Sequence, residues 1–353
     1  MQKMVAARFY GQGEIRLEEL PLPTPGPEEV LLRVRLCGIC GSDLRTFQHG
    51  SSGGNYRTPR TLGHEFTGVV EAAGEGTVGF RPGDRVAAAP ASACGVCALC
   101  KQGSPTLCSN ALDFGTTQEG AHAEFVIIPA PLIAQGGLVR LPDDVSDEKA
   151  SLLEPLGTSI RGLLTRGRLR PGESIVIIGD GPIGLIQVML AHQFGARVVC
   201  IGHHIDRLAL AREIGAESTI DALTQDVGAV VRRQTEGEGA DLVMVSAPSP
   251  DAVKQSLELA RGGGRVVIFG GVPRGSTVEI DPNRVHYSEL EVIGSLNCTT
   301  AEFRQALEYA PPLPLDRVIT HRVPLDRIHE GYQLMADRTA LKVVVVMGNG
   351  RGK

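Results

Sequence analysis

Tryptophan is absent from this chain of 353 residues, and aromatic side chains make up only 4% of it, so aromatic surface of any kind is scarce. No long run of one charge sign occurs, and 35 basic residues against 40 acidic ones leave a net charge of −5. Such a balance calls for neither nucleic acid nor an acidic membrane surface as a partner. No uninterrupted apolar stretch approaches the roughly 20 residues that cross a bilayer. The opening MQKMVAARFYGQGEIRLEEL turns polar too early for a secretory signal. A cytoplasmic address is therefore expected, with no membrane and no nucleic acid among the partners. In a reducing compartment, clustered thiols hold metal more often than they pair as disulfides.

Glycine, by contrast, is abundant at 44 residues and implies many tight turns. The length suits two domains. Up to about residue 150 the chain reads as short strands between Gly and Pro: EVLLRVRL (29–36), FTGVVEAAG (66–74), GDRVAAAP (83–90) and HAEFVIIP (122–129). The texture then changes to alternating strands and helices. SIVIIGDGPIGLIQVMLAHQFGA (174–196) is an apolar strand, a glycine turn and a helical pattern. RVVCI, RLALAREIGA, ADLVMVSA and RVVIFGG continue the alternation, and ELEVIGS (289–295) reads as the last strand. This is the pattern of a parallel, doubly wound sheet. The tail, a helix and then a β-rich finish, does not complete such a sheet and is assigned back to the first domain.

The turn Gly179-Asp180-Gly181-Pro182-Ile183-Gly184 follows a strand and opens a helix, the context a dinucleotide fingerprint needs. Gly179 permits the tight turn, Gly181 lets the backbone approach a pyrophosphate, and Gly184 allows close helix–strand packing. The helix start, with Pro182 and Ile183, offers its N–H groups to the phosphates. About 20 positions on, an acid should read the ribose 2′-hydroxyl of NAD. That position is Gly202, and His203, His204 and Arg207 follow it. A missing acid beside basic neighbours suits a 2′-phosphate, so NADP is expected over NAD; Asp206 reaching the ribose is the alternative.

Cys40, His64, Glu65 and Glu154 offer one thiolate, one imidazole and two carboxylates, suitable zinc ligands scattered too widely for spacing to establish a site. Cys94, Cys97, Cys100 and Cys108 are different, with four thiols in fifteen positions.

Together, GICGSD, LGHEFTG, the four-cysteine lobe, PGDRV, EPLG and GDGPIG resemble the zinc-dependent medium-chain dehydrogenase/reductase family, in order and separation, over essentially the whole chain. The resemblance implies a GroES-like β-rich catalytic domain split around a Rossmann domain: residues 1–155, then 156–294, then a return over 295–353. It implies two Zn2+ per chain. Cys40, His64 and Glu65 would hold the catalytic ion, with Glu154 binding directly or through water where the alcohol dehydrogenase branch has a cysteine. Asp43 would orient the ligand histidine. Cys94, Cys97, Cys100 and Cys108 would close a structural site. Ser42 matches a relay hydroxyl. Arg45 stands where many relatives have a relay histidine, and an arginine stays protonated, so it would bind cofactor or an anionic substrate group instead while the proton leaves through water or Glu154, with His49 as another relay candidate. The implied reaction is hydride transfer between a small alcohol or carbonyl substrate and NAD(P), with a polyol, sugar or cyclitol as the favoured class. An amino alcohol or aldehyde is the alternative, and a binding protein without turnover is a third reading. The loops 45–60, 110–120 and 295–300 would line the substrate. A homodimer or homotetramer is expected, with GSTVEIDP (275–282) as a possible edge strand.

Overall fold

The structure is a computed structural model that describes residues 2–50 and 58–348. VLLRVRLCG forms β1 (Val30–Gly38), whose residues are mostly buried because it lies inside a seven-stranded sheet. Its antiparallel neighbours are β2 (Glu65–Ala73) and β4 (Phe125–Ile128), and β3 (Arg85–Ala88) pairs with β2. Between β1 and β2 lies helix α1 (Gly41–His49). Helix α2 (Leu153–Ile160) is apolar and almost wholly buried.

The chain then enters a second unit, Thr158–Asn297, built on a six-stranded parallel sheet. β5 (Ser174–Ile178) is buried at every position, as expected for a strand covered on both faces. It is followed by α3 (Pro182–Gln193), β6 (Arg197–Gly202), α4 (Ile205–Glu213), β7 (Ser218–Asp221), β8 (Ala240–Val245), α5 (Pro250–Leu259), β9 (Ala260–Ile268) and β10 (Glu291–Gly294). The order β7-β6-β5-β8-β9-β10 reverses direction at β5, the switch point of a doubly wound sheet. Residues 275–281 form no strand; the outer edge belongs to β10, because 275–281 run as turn and coil before the short helix Pro282–Tyr287.

From Cys298 the chain belongs again to the first unit. β11 (Ile319–Pro324), α6 (Ile328–Ala336) and β12 (Lys342–Val346) complete it, β12 pairing antiparallel with β1 through Val344 opposite Gly38. The divisions fall after Gly157 and after Asn297, against 155 and 294 from the sequence. The first unit keeps Gly157 because a Cβ there would meet Cys298 Sγ at 3.2 Å and Phe303 Cα at 3.4 Å, so those residues pack as one layer. No helix among the described residues is long and apolar enough to cross a membrane.

Candidate metal centres and dinucleotide turn

The register of β1 on β2 sets Gly38 opposite Glu65. Cys40, two residues beyond β1, therefore meets the His64–Glu65 pair at the start of β2. One ligand atom from each of Cys40, His64 and Glu65 lies within 4.8 Å of the others. Asp43, 4% exposed, locks this corner. Its Oδ2 accepts the Cys40 backbone N–H at 3.0 Å, its Oδ1 accepts from Gly63 at 3.4 Å, and Oδ1 stands 3.5 Å from His64 Nδ1. Burial alone would raise the Asp43 carboxyl, but the His64 imidazole beside it outweighs that and holds it at about 2. With Nδ1 facing Asp43, His64 presents Nε2, and Ser42 Oγ lies 3.5 Å from that atom.

Glu65 is 1% exposed, and its Oε2 has no aligned hydrogen bond, although the buried Lys342 ammonium contacts it as an ion pair. Glu154, on the first turn of α2, is buried too. Burial pushes its carboxyl up to about 7, with His64 opposing and Glu65 adding to the rise. A thiol, an imidazole and a carboxylate whose ligand atoms converge within 4.8 Å, with Asp43 holding the imidazole, suit a divalent cation with N, O and S ligands. Glu154 is not a member of the ligand-atom group formed by Cys40, His64 and Glu65.

The four lobe cysteines also meet. Sγ separations are 3.4 Å for Cys97–Cys100, 3.9 Å for Cys97–Cys108 and 4.0 Å for Cys94–Cys100, and all four are free thiols. A tetrahedral ion with Zn–S near 2.3 Å requires S···S of about 3.8 Å, and the observed values bracket it. The backbone N–H groups of Val96 and Cys97 push the Cys94 thiol down to about 6. Burial and the Cys97 thiol push Cys100 up to about 12. Four thiol sulfurs converging within 4.8 Å of one another form a ligand set for a cation. Four ligands close the shell, so this lobe is structural.

In the second unit the glycines of the turn differ in what surrounds them. Gly179 has φ +130° and a Cβ there would meet Ala247 N at 2.9 Å; at Gly184 a Cβ would land on the Gly179 carbonyl. At Gly181 a Cβ would meet nothing within 4 Å, which leaves open space over the turn. Pro182 is the first residue of α3, and Ile183 follows in its first turn. Gly202 ends β6 next to this turn, His203 is exposed, and His204 and Arg207 are partly buried.

Two family profiles match: an alcohol dehydrogenase GroES-like domain over residues 26–143 and a zinc-binding dehydrogenase over residues 182–310. A sorbitol dehydrogenase of Halalkalibacterium halodurans is 32% identical over 97% of this chain and 98% of its own. The chain belongs to the zinc-binding alcohol dehydrogenase family. An L-threonine 3-dehydrogenase of Rhizobium etli is 30% identical over 98% of this chain and 99% of its own. A solved protein of Sinorhizobium meliloti, described as a zinc-binding dehydrogenase bound to NADP, superposes with a TM-score of 0.90 at 33% identity, covering 98% of this chain and 100% of that one.

This zinc-binding alcohol dehydrogenase is thus an enzyme that uses zinc and NAD(P) on a small alcohol. Within its first unit the structure brings Cys40, Ser42, Asp43, His64 and Glu65 together. Arg45 and His49 stand exposed on α1. Of the loop 45–60, residues 51–57 lie outside the described residues. Sequence reasoning missed Lys342, whose signal was a lone cation in the apolar run LKVVVVM. It also left Asp180 without a role.

Proposed function

We propose that the enzyme transfers a hydride between a secondary alcohol of polyol, sugar or cyclitol type and a nicotinamide cofactor, with NADP preferred to NAD. The observation that carries the substrate class is Glu154: a buried carboxyl in the field of His64 and Glu65, where a thiolate would mark the alcohol dehydrogenase branch. When bound, zinc supplies Lewis acidity toward an alcohol or carbonyl oxygen, and NAD(P) accepts or returns the hydride. Cys40, His64 and Glu65 would hold that zinc, and Cys94, Cys97, Cys100 and Cys108 the structural one. Asp43 fixes the ring of His64 so that Nε2 faces inward. Ser42 is the hydroxyl best placed to take a proton from the substrate, being 3.5 Å from His64 Nε2. From there the proton leaves through water or Glu154, because Arg45 stays charged and serves binding instead. Gly179, Gly181, Pro182, Ile183 and Gly184 seat the pyrophosphate. Gly202 supplies no acid for the ribose, and the NADP-bound Sinorhizobium relative supports the 2′-phosphate reading.

An amino-alcohol substrate is the second reading, favoured by the resemblance to L-threonine 3-dehydrogenases. We expect a cytoplasmic homodimer or homotetramer; the edge strand β10, with Val292 exposed, offers surface for it. The test is absorbance at 340 nm with zinc-replete protein and a panel of polyols, inositols, sugars and amino alcohols, each with NADP+ and NAD+. A rate on a polyol or cyclitol, faster with NADP+, is expected. Turnover of amino alcohols alone would overturn the substrate class, and faster turnover with NAD+ the cofactor preference.

A further inference from the structure

The second unit carries a carboxylate beside the strand end that lacks one. An ideal Cβ built on Gly202 would stand 2.5 Å from both Cβ and Cγ of Asp180. Asp180 comes from the glycine turn and is 4% exposed. Its Oδ2 accepts the backbone N–H of His203 at 2.9 Å and of His204 at 2.8 Å, and His204 Nδ1 lies 3.0 Å away. Burial alone would raise this carboxyl, but the hydrogen bonds from His204 and His203 hold it below its ordinary range. The ring of His203 packs on that of His204 with centroids 4.3 Å apart.

The space that an acid at residue 202 would need is therefore filled from another segment. The filling carboxylate spends its charge inward, on two backbone donors and one ring nitrogen. An imidazole whose Nδ1 is held by a carboxylate keeps one orientation and leaves Nε2 as the ring nitrogen that can meet a ligand. We infer that Asp180 is a positioning residue for 2′-phosphate recognition, fixing the 202–204 turn and turning His204 Nε2 toward the phosphate of NADP. The inference rests on the dinucleotide reading of the glycine turn and deepens it. A carboxylate that instead left an oxygen free for a ribose hydroxyl would select NAD, so the two roles predict opposite signs.

The experiment is calorimetric binding of 2′,5′-ADP and 5′-AMP to the whole zinc-loaded protein, as wild type, Asp180→Asn and His204→Gln. Wild type should bind 2′,5′-ADP more tightly. Asp180→Asn keeps an acceptor for the backbone but loses the charge that holds the ring. It should weaken 2′,5′-ADP by about tenfold, the size of one charge-assisted hydrogen bond, and leave 5′-AMP within about twofold. His204→Gln should reproduce that split while leaving every residue of the glycine turn in place, and it carries the test if Asp180→Asn does not fold. An unchanged ratio in either variant overturns the inference. So does tighter 2′,5′-ADP with weaker 5′-AMP in Asp180→Asn, which would make Asp180 the ribose reader. If neither fragment binds wild type, the dinucleotide reading itself fails.

Discussion

Lys342→Met removes a cation that the catalytic corner keeps out of water. Lys342 is 3% exposed and Glu65 1%, and the ammonium sits against the Glu65 carboxylate under Gly38, where a Cβ would meet Lys342 Cε at 3.1 Å. Methionine preserves most of the apolar stem but leaves Glu65 buried without its partner. Breaking a buried pair in this way costs about 3–5 kcal/mol. The figure applies to the chelated protein. With zinc present, the cation also compensates Glu65, so the loss should be smaller. Linkage then requires the difference to reappear as tighter zinc binding. If about 2 kcal/mol is relieved, zinc binds about 30-fold more tightly to the variant. The measurements are urea unfolding of both proteins with and without chelator, and zinc affinity by competition with a chromophoric chelator. An equal penalty in both states, or weaker zinc binding by the variant, would refute the placement of Lys342 beside a zinc-holding Glu65.

Cys100→Ser should lower zinc from two ions per chain to one by elemental analysis while leaving the Cys40–His64–Glu65 ion in place; a variant that keeps two would show that Cys100 is not a required ligand, and a wild type with only one would show that the lobe holds no metal. Gly184→Ala would drive a Cβ onto the Gly179 carbonyl, an overpacking cost of about 1–3 kcal/mol. Its loss of NADPH binding, read by nicotinamide fluorescence, should exceed that of Gly172→Ala, whose site is open though its backbone is strained. Asp147 accepts from Arg85 at 2.7 Å and Arg35 at 2.9 Å. Burial alone would raise its carboxyl, but these bonds hold it below the ordinary range. A depressed carboxyl stabilises above the unfolded value of about 3.9 and loses that contribution as pH falls through the folded one. Asp147→Asn should therefore cost about 1 kcal/mol at pH 7, allowing for solvent screening, and progressively less as pH falls below the unfolded value. A urea-midpoint difference independent of pH would count against it.

What could be read from the sequence is what the chain writes locally. The glycine turn needs only neighbours within a few residues to show its purpose, and Gly179 and Gly184 carry the constraints their positions implied. The four-cysteine lobe spans fifteen positions, so its convergence was legible as well. Cys40 and His64 are another matter. Their meeting depends on which residue of β1 faces which of β2, and a slip of one position would turn Glu65 to the other face. Only the resemblance to a family could supply that register beforehand. Lys342 and Asp180 were out of reach for the same reason in stronger form. One lies 277 residues beyond Glu65 and is brought to it by β12 pairing with β1; the other meets residue 202 across the end of a parallel sheet. Counting along β6 correctly found no acid at Gly202, yet the side chains weighed in its place, His203, His204, Asp206 and Arg207, all follow it directly in the chain. A parallel sheet places the ends of β5 and β6 side by side, so a charge missing from one strand end can be delivered by the turn after its neighbour. On the role proposed for Asp180, cofactor preference here depends on two neighbouring segments, the turn after β5 and the end of β6.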